Sequence, residues 1–292
     1  MTISPFSQRV RQAFSRGVSA YEPLAPLQRS IAWRLAGLAH HHGWSGAAGS
    51  SRPLPPGPGA DLGAGTGLLS RALAAWRLPL PEPLLQLDLC PEALARNPAG
   101  PPLAWDLNQG LPASLRGAAL LGSSFALQWL DEPAAALAQW AAQLAPGGWL
   151  LLAAPTAGSF PEWRRAAQLA GVPCGALPLP RAAALLNAAA GAGLELVCVR
   201  TLTFSGATAR TCSASEGPDG GGQRDRLPAL RALRSLRAIG ADASRQAPLS
   251  PGAWRRLLAA WPAGRQLSWE VLLLLARRPG GAFDPGGAPC GW

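Results

Sequence analysis

From Val10 onward the apolar residues Val10, Phe14, Leu24, Leu27, Ile31, Leu35 and Leu38 recur mostly at three- and four-residue steps, with Arg and Gln between them. That spacing predicts helix over residues 9–39, and Pro23 and Pro26 divide it into two helices. Residues 43–60, GWSGAAGSSRPLPPGPGA, carry no period and read as a linker or loop. Short apolar runs then alternate with helical stretches. Helix is predicted over 68–76, 91–96, 134–144 and 181–190, and a helix also begins near Glu162 and Arg164. Strand is predicted over 84–89, 103–107, 118–123, 149–154 and 194–204. Pro146-Gly147-Gly148 marks the end of the helix over 134–144. Two further helices, 227–239 and 251–261, precede a last strand at 268–276. Residues 213–226 read as flexible, and 278–292 as a loose tail. This alternation argues for an α/β, doubly wound, mostly parallel sheet with helices on both faces.

Composition narrows the class. The chain has 292 residues with 48% apolar side chains, enough for one large domain with a core. The longest apolar run, Val271–Ala276, is far short of the roughly 20 residues of a membrane span. The five cysteines are scattered, with no C-x-x-C pair, and read as free thiols in a reducing, cytoplasmic compartment. Ligand spacing argues against a zinc site, and His40-His41-His42 reads as an exposed helix end. Formal net charge is +10, all of the basic side chains being Arg, which favours an acidic partner. Aromatic–basic interleaving is lacking, so a nucleic-acid partner is not expected.

The chemistry concentrates at DLGAGTG, residues 61–67. Gly63, Gly65 and Gly67 let a ligand lie directly on the turn after the first strand. No Lys-Ser/Thr follows, which excludes a P-loop. A dinucleotide loop needs G-x-G-x-x-G, and Leu68 stands where its third glycine belongs. The acid-x-G-x-G-x-G pattern of S-adenosyl-L-methionine binding fits residue for residue, beginning at Asp61. Asp88 ends the second predicted strand about 20 residues on, where a carboxylate takes both ribose hydroxyls. Asp106 closes the third and is placed to accept from the adenine amino group. The first strand itself, before Asp61, is weak: PPGPGA is a poor strand sequence.

Four further segments carry a resemblance: RVRQAFSRGVSAYEPLAPLQRSIAWRL, SSFALQWLDEP, LAPGGWLLLAAPTAGSFPEW and LRALRSLRAIGA. Together, and in this order, they resemble the malonyl-[acyl-carrier protein] O-methyltransferase family of biotin synthesis, within the class I methyltransferases. The family's Gly-(Ser/Thr)-x-x-Glu and Leu-(Lys/Arg)-x-x-Gly motifs are matched by Gly158–Glu162 and Leu236–Gly240. The resemblance implies a seven-stranded Rossmann-like sheet in one domain over 1–292. Residues 1–42 form an N-terminal helical lid, 59–204 a cofactor-binding core, 205–265 a helical cap inserted before the last strand at 266–277, and 278–292 a tail. It further implies that the N-terminal helices fold over the cofactor, bringing Tyr21 and Gln28 near it, and that Gln128 and Trp129 stand beside the reaction centre.

The acceptor implied is malonyl-acyl-carrier protein, whose free carboxylate is ionised at neutral pH and needs no general base. No acid/base residue is therefore assigned. Arg237 is the candidate for pairing with that carboxylate, since a guanidinium suits it. Arg231, Arg234 and Arg237 share one side of a predicted helix and offer a face to an acidic carrier. A methyltransferase for another small carboxylate, of the aconitate type, would share the loop and the acids and differ only in its cap.

Overall fold

The computed structural model describes residues 3–44, 53–205, 227–263 and 265–280. The flexible segment read at 213–226 and nearly all of the tail therefore lie outside the described residues. Helix α1 (Pro5–Leu24) opens at Ser4, whose hydroxyl accepts from Ser7 N at 3.1 Å, with Pro5 in the first turn, where its missing N–H is not needed. Pro23 is carried inside its last turn, and Pro26 starts α2 (Pro26–Ala39), so the prolines divide the helical stretch as expected.

Seven strands form one sheet: β1 (Gly59–Leu62), β2 (Leu84–Asp88), β3 (Pro102–Ala104), β4 (Ala118–Ser124), β5 (Leu144–Pro155), β6 (Glu195–Ser205) and β7 (Ser268–Arg277), in the order β3-β2-β1-β4-β5-β7-β6. Strands β1 to β5 pair in parallel, and β7 runs antiparallel to both neighbours. The helices between them are α3 (Leu68–Ala75), α4 (Pro91–Leu94), α5 (Pro133–Gln143), α6 (Pro161–Ala170) and α7 (Ala182–Gly191), followed by α8 (Leu227–Ala238) and α9 (Pro251–Ala259) between β6 and β7. Alternation along β5 and β7 serves two cores. Leu151, Ala153, Leu273 and Leu275 pack with α2, α3, α8 and α9, whereas Leu150, Leu152, Leu272 and Leu274 pack with α5 and α7.

Three strands differ from their sequence pattern. β1 has only four residues, all buried, and holds because β2 and β4 pair with it on both sides. β3 ends at Ala104, two residues before Asp106, which instead caps a short turn over Leu107–Gln109. β5 starts at Leu144 and carries Pro146-Gly147-Gly148 within it, in a bulge between the pairings Ala118↔Leu144 and Leu120↔Trp149. Among the described residues no helix is long and apolar enough to cross a membrane.

Candidate active site

The carboxyl ends of β1, β2 and β4 converge on the glycine loop. Gly63 N and Ala64 N both donate to Leu87 O at 2.8 Å, which pins the turn to β2. Gly65 sits at φ +52°, and a Cβ placed there would meet no protein atom within 4 Å, so its open side faces a cleft. Asp88 reaches across from β2: one carboxylate oxygen accepts from Gly65 N at 2.8 Å and the other from Cys90 N at 2.7 Å. Burial pushes the Asp88 carboxyl up, with the backbone N–H groups opposing it.

The other two predicted acids stand differently. Asp61 is buried and accepts from Ser70 N at 3.2 Å and Ser70 Oγ at 2.7 Å; burial raises it to about 6. It does not line the cleft, and Gly67 does not either: Gly67 caps α3 against Asn97. Both hold the loop from behind. Asp106 does line the cleft, with Oδ1 accepting from Asn108 N at 3.0 Å and Asn108 Nδ2 at 3.1 Å.

Two cavities meet here. The smaller, about 100 Å³, lies between the glycine loop, Asp88 and Asp106 on one side and α1 on the other, which contributes Ser7, Val10, Phe14, Val18 and Tyr21. The larger, about 910 Å³, runs between α1, the residues after β4 and the α8–α9 region. Phe14, Tyr21, Phe125 and Trp129 line both and form the partition. Phe14 packs edge-on against Trp129 at 5.4 Å between centroids and lies 6.5 Å from the Tyr21 ring. Burial first, then the Asp88 and Glu22 carboxylates, push the Tyr21 phenol well above its usual range.

The larger cavity has an aromatic floor: the Trp269 ring stands 4.6 Å from Phe160 and 5.9 Å from Phe125. Two buried amides, Gln28 and Gln128, line it, and Gln128 Nε2 donates to Phe125 O at 2.7 Å. Arg9, Arg16, Arg234, Arg237 and Arg245 surround it, with Asp242 as the sole acid among the described lining residues.

Arg237 is redirected by the structure. Its side chain is 79% exposed, 3.9 Å from Asp242, so it belongs to the rim and not to an enclosed carboxylate site. Glu162 is a structural clasp, accepting from Ser268 N at 3.0 Å and Ser268 Oγ at 2.5 Å and so tying α6 to β7; Arg164 donates to Ser159 O. Sequence reasoning missed Phe14 and Phe125. Phe14 merges with the helical apolar period, and the one peculiarity of Phe125, a positive φ of +56°, is invisible in sequence.

A family model described as a methyltransferase domain matches residues 50–199. The chain is 33% identical over 159 residues to the malonyl-[acyl-carrier protein] O-methyltransferase of Serratia marcescens, an alignment covering 53% of this chain and 56% of the relative. It is 30% identical over 289 residues to the enzyme of that name from Alcanivorax borkumensis, covering 92% of this chain and 86% of the relative. The chain belongs to the malonyl-[acyl-carrier protein] O-methyltransferase family. The YcgJ protein of Bacillus subtilis shares the fold, with a TM-score of 0.51 at 11% identity, covering 85% of this chain and 99% of that one. The chain is thus a methyltransferase, with S-adenosyl-L-methionine as its methyl donor. The cleft fits that donor's chemistry, because the loop is open at Gly65 and Asp88 offers carboxylate oxygens beside it.

Proposed function

We propose that the enzyme methyl-esterifies the free carboxylate of a malonyl thioester carried on acyl-carrier protein, a step of biotin synthesis. One observation supports this most strongly: the partition between the two cavities contains no base. Of Phe14, Tyr21, Phe125 and Trp129, only Tyr21 ionises, and its pKa is pushed away from neutrality. An amine or hydroxyl acceptor needs a proton removed as it reacts, whereas a carboxylate arrives ionised.

S-adenosyl-L-methionine, when bound, supplies an electrophilic methyl group. In this reading Asp88 holds its ribose hydroxyls, Gly63 and Gly65 offer backbone at close approach, and Asp106, which lines the cleft, accepts from its adenine amino group. Asp61 and Gly67 keep the loop in shape. On the acceptor side, Phe125, Phe160 and Trp269 exclude water, and a desolvated carboxylate is a stronger nucleophile. Gln28 and Gln128 orient the acyl group by hydrogen bonds, while Tyr21 and Trp129 confine it to one line of approach. The arginines at the mouth favour an anionic acyl group and the acidic surface of its carrier. A cytoplasmic setting agrees with the free thiols Cys90, Cys174 and Cys198.

The test is the pH dependence of turnover with saturating malonyl-carrier protein. The rate is expected to stay flat between about pH 6.5 and 8, since an ordinary carboxylate is ionised throughout and a raised tyrosine stays protonated. A rise with a midpoint near pH 7 contradicts the proposal, because it demands a base.

A further inference from the structure

Helix α1 has two working faces. One covers the cofactor cleft through Val10, Phe14 and Tyr21 and is latched to the core at both ends. Near its start, Ser7 Oγ accepts from Asn108 Nδ2 at 3.1 Å, and near its end Glu22 pairs with Arg71 of α3 at 2.5 Å. The other face meets the end of α8. There the contact is backbone on backbone: a Cβ on Gly17 would stand 2.5 Å from Gly240 N and 2.7 Å from Ile239 C. Reciprocally, a Cβ on Gly240, at φ +74°, would stand 2.5 Å from Ala13 O and 2.6 Å from Phe14 Cα. Asp242 adds a bridge, lying 3.7 Å from Arg16 of α1 and 3.9 Å from Arg237 of α8.

The cleft beneath α1 measures about 100 Å³, well under the roughly 300 Å³ at which small-molecule pockets begin. To take a nucleoside-sized ligand it must widen, and α1 is the wall that faces the glycine loop, Asp88 and Asp106 across it. A shift of α1 moves Gly17, and close-packed backbones do not slide independently. We infer that Gly17 and Gly240 are positioning residues that join α1 and α8 into one moving unit, so that the cofactor bound under α1 sets the roof of the acceptor cavity. The partition shares in this, since Gly240 abuts the backbone of Phe14, whose ring lies between the two cavities. The inference concerns cofactor binding and does not depend on which acceptor is used.

Amide hydrogen exchange of the whole chain, with and without the unreactive product S-adenosylhomocysteine, tests it. None of the described residues from Leu227 onward lines the cofactor cleft. Even so, amides of 229–239 are expected to slow together with those of α1, by a factor between about 5 and 150, the usual range of site-to-site coupling. Amides of α7, on the opposite face of the sheet, should stay unchanged. In Gly17→Ala the added methyl forces α1 and α8 apart by roughly 1 Å, while alanine itself favours helix. That variant should still bind the product and protect α1, but α8 should no longer respond. Slowing of α1 without α8 in the wild-type protein overturns the inference, as does equal slowing of α7, which signals only global stabilisation. So does full α8 protection in Gly17→Ala. If the variant does not fold, the wild-type comparison of α1, α7 and α8 decides alone.

Discussion

Asp88 holds two backbone N–H groups at once, and its burial lifts its pKa, so it spends part of its charge on the fold before any ligand arrives. Asp88→Ala is expected to weaken S-adenosyl-L-methionine binding by roughly 10- to 100-fold, since hydrogen bonds to a charged group contribute about 1.5–3 kcal/mol. Titration calorimetry checks this, and unchanged affinity removes Asp88 from the cofactor site. The placement of Gly63, Gly65 and Asp88 at one cleft was legible in the sequence because it follows from local geometry at strand ends. Asp61 was less so: its spacing matches a cofactor motif, but its side chain turns back to Ser70, and nothing in the pattern tells a ligand from a helix start. Glu162 poses the same problem. Its acceptance from Ser268 marks it as a clasp, so Glu162→Ala should lower stability by roughly 1–2 kcal/mol, read as a shift in urea midpoint, with cofactor affinity retained. Lost turnover at unchanged stability would reassign it to the substrate.

At the level of elements, periodicity found the helices well because each buries one apolar stripe, against the sheet or against a neighbouring helix. Strands were harder where neighbours supply what the residues lack. β1 is an adverse sequence held by pairing on both sides, and β5 runs through a Pro-Gly-Gly that locally reads as a stop. Helix α8 largely matches its pattern: Leu236 and, just past the helix end, Ile239 are buried, Leu233 is half-buried, and Arg231, Arg234 and Arg237 are exposed. Arg231 stands off the acceptor cavity, so it isolates carrier docking. Arg231→Glu is expected to raise the KM for malonyl-carrier protein several-fold at 0.1 M salt. The difference should fade as the screening length falls from about 10 Å to 3 Å at 1 M. Malonyl-coenzyme A, which offers no protein surface, should be turned over as before. Equal loss with both acceptors would show that α8 shapes the cavity and does not dock the carrier.

Over the whole molecule, the glycine loop, Asp88 and Asp106 gather at the carboxyl ends of the parallel strands, where α1 closes over them, while α8 and α9 close over the neighbouring acceptor cavity. That closure is legible through the family resemblance; the apolar pattern alone gives the helices and not where they pack. The partition joins residues more than 100 positions apart: Tyr21 and Trp129 are legible only through the resemblance, and Phe14 and Phe125 read locally as ordinary core. Its meaning is chemical: an apolar wall with one unresponsive phenol suits an acceptor that needs no deprotonation. The most direct measurement is transfer of labelled methyl from S-adenosyl-L-methionine to malonyl-carrier protein, with acetyl-carrier protein and free malonate alongside. The account predicts a base-labile methyl ester on the malonyl thioester, no label on the acetyl thioester, and little on free malonate, which lacks the carrier. Label on the acetyl thioester, or none on the malonyl thioester while the protein binds its cofactor, would contradict it.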